Sequence, residues 1–119
     1  MPFRIEIAPQ AFEDLDSIAE HIGRHGSTES ASRWFNGIID AIRTLGEMPS
    51  RCPLADESED VRAEVRLLLH GKRNRRYKVF FAIHRETETV RVFHVRHWAR
   101  KPADADEMKD LMDSAEDGA

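Results

Sequence analysis

One cysteine, Cys52, is the only thiol in this chain of 119 residues. It cannot form an internal disulfide, and no Cys or His cluster has the spacing of a structural zinc site. Long apolar runs are missing too, since nothing approaches the roughly 18 residues that a membrane-spanning helix needs. The first residues have neither a basic flank nor an apolar signal segment. A reducing cytoplasm with no membrane association is therefore expected. Also absent are a phosphate-cradling glycine loop, a serine elbow and a zinc-protease histidine helix, so neither cofactor nor metal is expected. The length fits one domain of the common size of about 100 to 150 residues.

The formal net charge of −4 conceals a strong asymmetry. Residues 1–61 carry five Lys and Arg against twelve Asp and Glu, residues 62–102 carry twelve against three, and residues 103–119 carry one against seven. A cationic segment of +9 thus lies between acidic segments of −7 and −6. Such a field steers an anionic partner. The competing explanation is that acidic helices and basic strands neutralise one another inside the fold.

Hydrophobic periodicity sets the order of elements. Phe3, Ile5 and Ile7 alternate with Arg4 and Glu6, the period of a half-buried strand. Pro9 opens a helix in which Ala11, Phe12, Leu15, Ile18, Ala19 and Ile22 form one stripe, ended by Gly23 and Gly26. Ser27 or Thr28 can cap a second helix, with Glu29 near its positive end. There Ala31, Trp34, Phe35, Ile38, Ile39, Ile42 and Leu45 make a broad apolar face, and Gly46 and Pro49 stop it. Two such helices joined by a short loop predict an antiparallel hairpin packed on a sheet, with Trp34 and Phe35 in the core.

After a polar connection over residues 47–62, three strands follow. Val65, Leu67 and Leu69 share one face of the first. Tyr77, Val79, Phe81 and Ile83 share one face of the second, opposite Arg76, Lys78, Phe80, Ala82 and His84. The third is "VRVFHVRH". Short turns between them predict an antiparallel meander. The tail carries Met108, Leu111, Met112 and Ala115 at helical spacing, which fits a third helix on its own sheet, a helix for a partner, or a frayed end. The expected class is α+β, order β-α-α-β-β-β, an antiparallel sheet with the helix hairpin on one face and a possible short C-terminal helix. Residues 1–102 are read as one domain and 103–119 as an acidic tail or helix.

If the helices cover the Tyr77 face, Lys78 and Arg76 point to the other. A basic open face ending in His97-Trp98-Ala99-Arg100 is then expected, although a one-residue slip would exchange His94 and Arg96 for His97. Arg and Lys can hold phosphate, Trp98 can stack a base, and histidine can move a proton near neutral pH. Cleavage of RNA by its ribose 2′-hydroxyl needs a base, an acid and cations around the phosphorane. A histidine at a strand end is more often structural. Glu13, Asp14 and Asp16 read as a solvated acidic face.

The stretches "FRIEIAPQAFEDLDSIAEHI", "RYKVFFAI" and "VRVFHVRHWARKP" together resemble the RelE/ParE superfamily of toxins from bacterial toxin-antitoxin operons. The resemblance covers residues 3 to about 102, and its strongest parts are the A-x-x-D-L-x-x-I helix and the V-x-H-x-x-R strand end. It implies a cognate antitoxin as partner and one of two targets: messenger RNA on the ribosome, cleaved by a nuclease branch, or DNA gyrase, poisoned by a branch without nuclease residues. For the nuclease, Lys78 matches a common cation, with His97 as proton-transfer group and Arg76 and Arg100 as phosphate holders. Lysines of the preceding strand fall where leucines stand, and the tyrosine near the C-terminus is absent, because Tyr77 is the only tyrosine and Trp98 follows His97. The "VRHWAR" ending is closer to the gyrase-directed members. The expected target-contacting residues are Arg76, Lys78, Arg96, His97, Trp98 and Arg100. A non-toxic module that binds nucleic acid or protein through the +9 segment is the alternative.

Overall fold

The computed structural model describes residues 2–55, 64–100 and 105–117. Strand β1 spans Arg4–Ile7, followed by helices α1 (Pro9–His25) and α2 (Thr28–Arg43); strands β2 (Val65–His70), β3 (Tyr77–His84) and β4 (Thr89–His97) come next, and helix α3 (Ala105–Asp117) closes the chain. Pro9 starts α1 where its missing N–H costs nothing. Of the two residues able to cap α2, Ser27 does so, its hydroxyl accepting the Ser30 N–H at 3.0 Å.

The sheet order is β1-β4-β3-β2. As the sequence predicts, β2, β3 and β4 form an antiparallel meander. β1 instead lies parallel to β4, pairing Arg4 with Thr89 and Ile7 with Val92, so the sheet is mixed. This corrects the antiparallel sheet expected from the sequence: no tight turn joins β1 to its neighbour, so nothing imposes the antiparallel direction there. The β2–β3 turn depends on Gly71, whose φ of 102° places a hypothetical Cβ only 1.9 Å from the Arg75 carbonyl oxygen.

Each sheet face has its own core. The helix hairpin covers the face carrying Tyr77, Val79, Phe81, Ile83, Val90, Val92 and Val95, against Leu15, Ile22, Trp34, Ile38 and Ile42. Burying a side chain such as Leu15, Ile38 or Phe81 completely contributes roughly 1.5 to 3 kcal/mol. The opposite face is not open, as the sequence led one to expect. The acidic tail forms α3, and Met108 and Ala115 pack there with Val65, Phe80, Ala82 and Phe93. Within β2, Val65 and Leu67 join the α3 side and Leu68 the hairpin side, while Leu69 is left exposed.

A bulge in β4 governs what each face displays. Phe81 pairs with Val92 and Phe80 with His94, leaving Phe93 as an extra residue. Phe93 and His94 consequently both serve the α3 side. From Val95 onward the alternation is shifted, so Val95 enters the hairpin core and Arg96 does not. Cys52 is buried, which pushes its thiol pKa up in spite of Arg51 and Arg66 nearby, so it behaves as a small apolar core residue.

Candidate functional site

Two constellations of polar side chains stand at the C-terminal half of β4, one on each side of the sheet. The first is an exposed cationic rim. Its base is the turn Arg73–Arg75 at the start of β3, and its far side is the segment just past β4. Arg76 lies with its guanidinium carbon 5.9 Å from the centre of the Trp98 ring, a cation–π arrangement that leaves both groups exposed. The Trp98 backbone N–H donates to the Arg76 carbonyl at 3.0 Å, and that of Arg100 donates to the His97 carbonyl at 3.1 Å. Backbone pairing thus brings Arg76, His97, Trp98 and Arg100 together on one rim.

His97 is held differently from its neighbours. The Ala99 N–H donates to its Nδ1 at 3.2 Å, which fixes the proton on Nε2, and Nε2 donates to the Asn74 carbonyl. Both ring nitrogens are therefore engaged with backbone. The ring also stands edge-on to Tyr77 at 5.3 Å between centroids, and Tyr77 packs edge-on against Trp34 of α2 at 5.1 Å. Burial raises the Tyr77 phenol pKa, only partly offset by Arg75. This aromatic series ties the exposed rim to the hairpin core.

The second constellation lies under α3. Asp14 of α1 accepts the Val95 backbone N–H at 3.0 Å and the His94 Nδ1–H at 2.8 Å through the same oxygen, Oδ2. Arg96 donates from Nε to His94 Nε2 at 2.7 Å and from Nη2 to Glu107 Oε1 of α3 at 2.5 Å. Because Arg96 has no proton to accept and only protons to give, His94 Nε2 is the acceptor and its proton sits on Nδ1. The His94 ring is also stacked on Phe80, 5.9 Å between centroids.

The length of β1 explains why Asp14 is there. β1 ends opposite Val92, where the Ala8 N–H still donates to the Val92 carbonyl at 2.8 Å. Beyond that point β4 has no strand on this side, and the start of α1 runs alongside it. Asp14 supplies the hydrogen-bond acceptor that a longer β1 would have supplied. Burial pushes the Asp14 carboxyl pKa up, but hydrogen bonds from His94, the Val95 N–H and Gln10 together outweigh it and hold the group below the ordinary carboxylate value.

The expected target-contacting set is therefore divided. Arg96 is only 2% exposed and belongs to the buried chain of hydrogen bonds, a correction to its place in that set. Its burial follows from the bulge, which turns it toward α3, and from Glu107, which completes its pairing. Lys78 is half-buried and pairs across the sheet with Arg96, on the face opposite the His97 ring. The catalytic candidates Lys78 and His97 are thus on opposite sides of β3 and β4. Asp14, expected on a solvated acidic face, is instead a structural acceptor for His94 and the Val95 N–H. Its place inside the A-x-x-D-L-x-x-I motif was the available signal. Glu107 had none beyond the acidity of the tail.

A family model described as the ParE toxin of type II toxin-antitoxin system, parDE, matches residues 5–102. It ends before α3. No curated protein matches in sequence. A chain of the chromosomal ParDE TA system from P. aeruginosa shares the fold with a TM-score of 0.65 at 16% identity, over 80% of this chain and 95% of that one. The E. coli toxin RelE, as a mutant in the free state, does so with a TM-score of 0.54 at 14% identity, over 98% of this chain and 97% of that one. Among the described residues, no helix is long and apolar enough to cross a membrane.

Proposed function

Because the chain belongs to the ParE toxin family of type II toxin-antitoxin systems, which implies a cognate antitoxin as its partner, we propose that it arrests growth by binding DNA gyrase through the rim formed by Arg76, His97, Trp98 and Arg100. On this reading the protein works in the cytoplasm as a contact toxin and contributes to plasmid stabilisation. The observation that carries it is the state of His97. With one ring nitrogen donating to the Asn74 carbonyl and the other accepting from the Ala99 N–H, the imidazole has no nitrogen left to take a substrate proton. Of the other two catalytic candidates, Lys78 has its place on the opposite sheet face and Arg100, a guanidinium, is no proton-transfer group. The phosphate-holding candidates Arg76 and Arg100 share the rim with His97, but no free proton-transfer group stands with them there, whereas an exposed indole beside the Arg76 guanidinium suits a binding hot spot.

The test is induction with and without the antitoxin gene, followed by supercoiling assays on purified gyrase and by translation assays. The expected result is growth arrest relieved by the antitoxin, inhibited gyrase and intact messenger RNA. Trp98→Ala and Arg76→Ala should remove the arrest without unfolding the protein. Ribosome-dependent RNA cleavage that vanishes in His97→Ala or Lys78→Ala would overturn this in favour of the RelE-type nuclease.

A non-toxic nucleic-acid-binding module is favoured by one observation: Arg76 lies over an exposed indole able to stack on a base, and Arg73, Arg75 and Arg100 are exposed in the adjoining segments. Its mark would be RNA or DNA affinity that falls steeply with salt, in cells that continue to grow on induction.

A further inference from the structure

The hydrogen-bonded chain under α3 joins α1 to the distant strand β4 and to α3, and α3 lies outside the part of the chain that the family model matches. Every link has a fixed direction. Glu107 accepts from Arg96, Arg96 donates to His94 Nε2, and His94 donates from Nδ1 to Asp14. Only a neutral imidazole can stand between a guanidinium and a carboxylate in this order. A protonated ring would keep its bond to Asp14 but would present an N–H to the Arg96 N–H.

We propose that Asp14, His94, Arg96 and Glu107 form a proton-sensitive latch that fastens α3 to the sheet when His94 is neutral and loosens it when His94 is protonated. Among the described residues, the charged groups facing the ring are Asp14 from α1 and Arg96 from its own strand. Phe80 of β3 stacks on the ring without charge, and Glu107 of α3 acts on it through Arg96. Lys78 of β3, beside Arg96 across the sheet, adds a second positive charge to the same face. Protonation therefore strengthens the bond toward α1, where the charge is negative, and repels the cation that holds α3. The direction follows directly: the latch is closed at higher pH and opens as pH falls.

What is released is an amphipathic helix with Met108 and Ala115 in a small core. What is uncovered is the sheet face bearing Phe80, Phe93 and Arg96. α3 thus controls access to a face with cationic and aromatic groups, in addition to the permanently exposed rim. This goes beyond the choice of target and holds for either one, since the readout below is structural.

The experiment is hydrogen–deuterium exchange of the full chain, following α3 amides at about pH 8 and about pH 5.5, the interval in which imidazole changes charge, with intrinsic exchange rates corrected. Protection of α3 should fall roughly tenfold at the lower pH, the effect of losing one charge-assisted hydrogen bond, while β3 amides stay protected. His94→Gln should abolish the step. Glu107→Gln, at a half-exposed position that does not threaten the core, should lower α3 protection at the higher pH and shrink the step. Equal α3 protection at both pH values in the unaltered protein would overturn the latch, as would a step that survives in His94→Gln. If His94→Gln does not fold, a full-sized step in Glu107→Gln overturns it equally.

Discussion

The two faces of the sheet are built on different principles. The hairpin side is a broad apolar layer, with Leu15, Ile38, Ile42, Val79, Phe81, Val90 and Val92 almost completely enclosed. Its contacts are non-directional, so its stability grows with area and tolerates small adjustments. The α3 side has a smaller apolar patch around Phe80, Phe93 and Met108, supplemented by hydrogen bonds that must keep their direction. One face is secured by area and the other by geometry. The first should fail only with the whole fold, and the second should be able to open alone.

Substitutions in the two layers can break this contrast. Phe81→Ala, in the hairpin layer, should lower the free energy of global unfolding by about 3 to 5 kcal/mol, measured by denaturant titration. Met108→Ala is equally buried but should cost only about 2 kcal/mol, because α3 can settle into the gap. It should appear first as faster exchange of α3 alone. A loss of global stability as large as that of Phe81→Ala would mean the two faces form one unit.

Asp14→Asn should come next, at about 1 to 2 kcal/mol, because the amide oxygen can still accept one bond but the charge is lost. Its pH dependence sharpens the case. The Asp14 pKa is lowered in the folded state, so its contribution is complete above the unfolded carboxyl value of about 3.9 and is lost as pH falls through the lower folded value. In Asp14→Asn, the acid limb of a stability–pH curve should flatten. Trp98→Ala should have the smallest effect on stability, within about 0.5 kcal/mol, since the indole lies on the surface. Toxicity is where its loss should register.

The sequence carried much of the hairpin side. The stripes of α1 and α2 and the Tyr77-to-Ile83 alternation are periodic over several turns or strand residues, and periodicity is a repeated signal. The α3 side was far less legible. The Met108, Leu111, Met112, Ala115 spacing allowed a helix but not its docking place. The Phe93 bulge leaves no mark in composition, yet it decides that Arg96 is buried and that His97 faces Tyr77. Asp14 looks like any helix carboxylate until the short length of β1 is known. The rim residues Arg76, His97, Trp98 and Arg100 were readable because they are close in sequence or joined by a predictable strand pairing. The separation of Lys78 from His97 was not, because it depends on strand phase.

The single unpaired residue of β4 can be viewed as a change of reading frame in the strand. Upstream of Phe93, one parity of residue numbers points to the helix hairpin; downstream, the other does. Closing up the strand by deleting Phe93 would restore a single frame with Val92 still opposite Phe81 and His94 still opposite Phe80, at the cost of one ring from the α3-side core. Keeping Phe93 but pairing it directly with Phe80 would instead turn His94 and Arg96 to the hairpin side and His97 toward α3, so the rim would inherit a different set of groups. A one-residue irregularity therefore sets which chemistry the protein keeps inside and which it presents to another molecule.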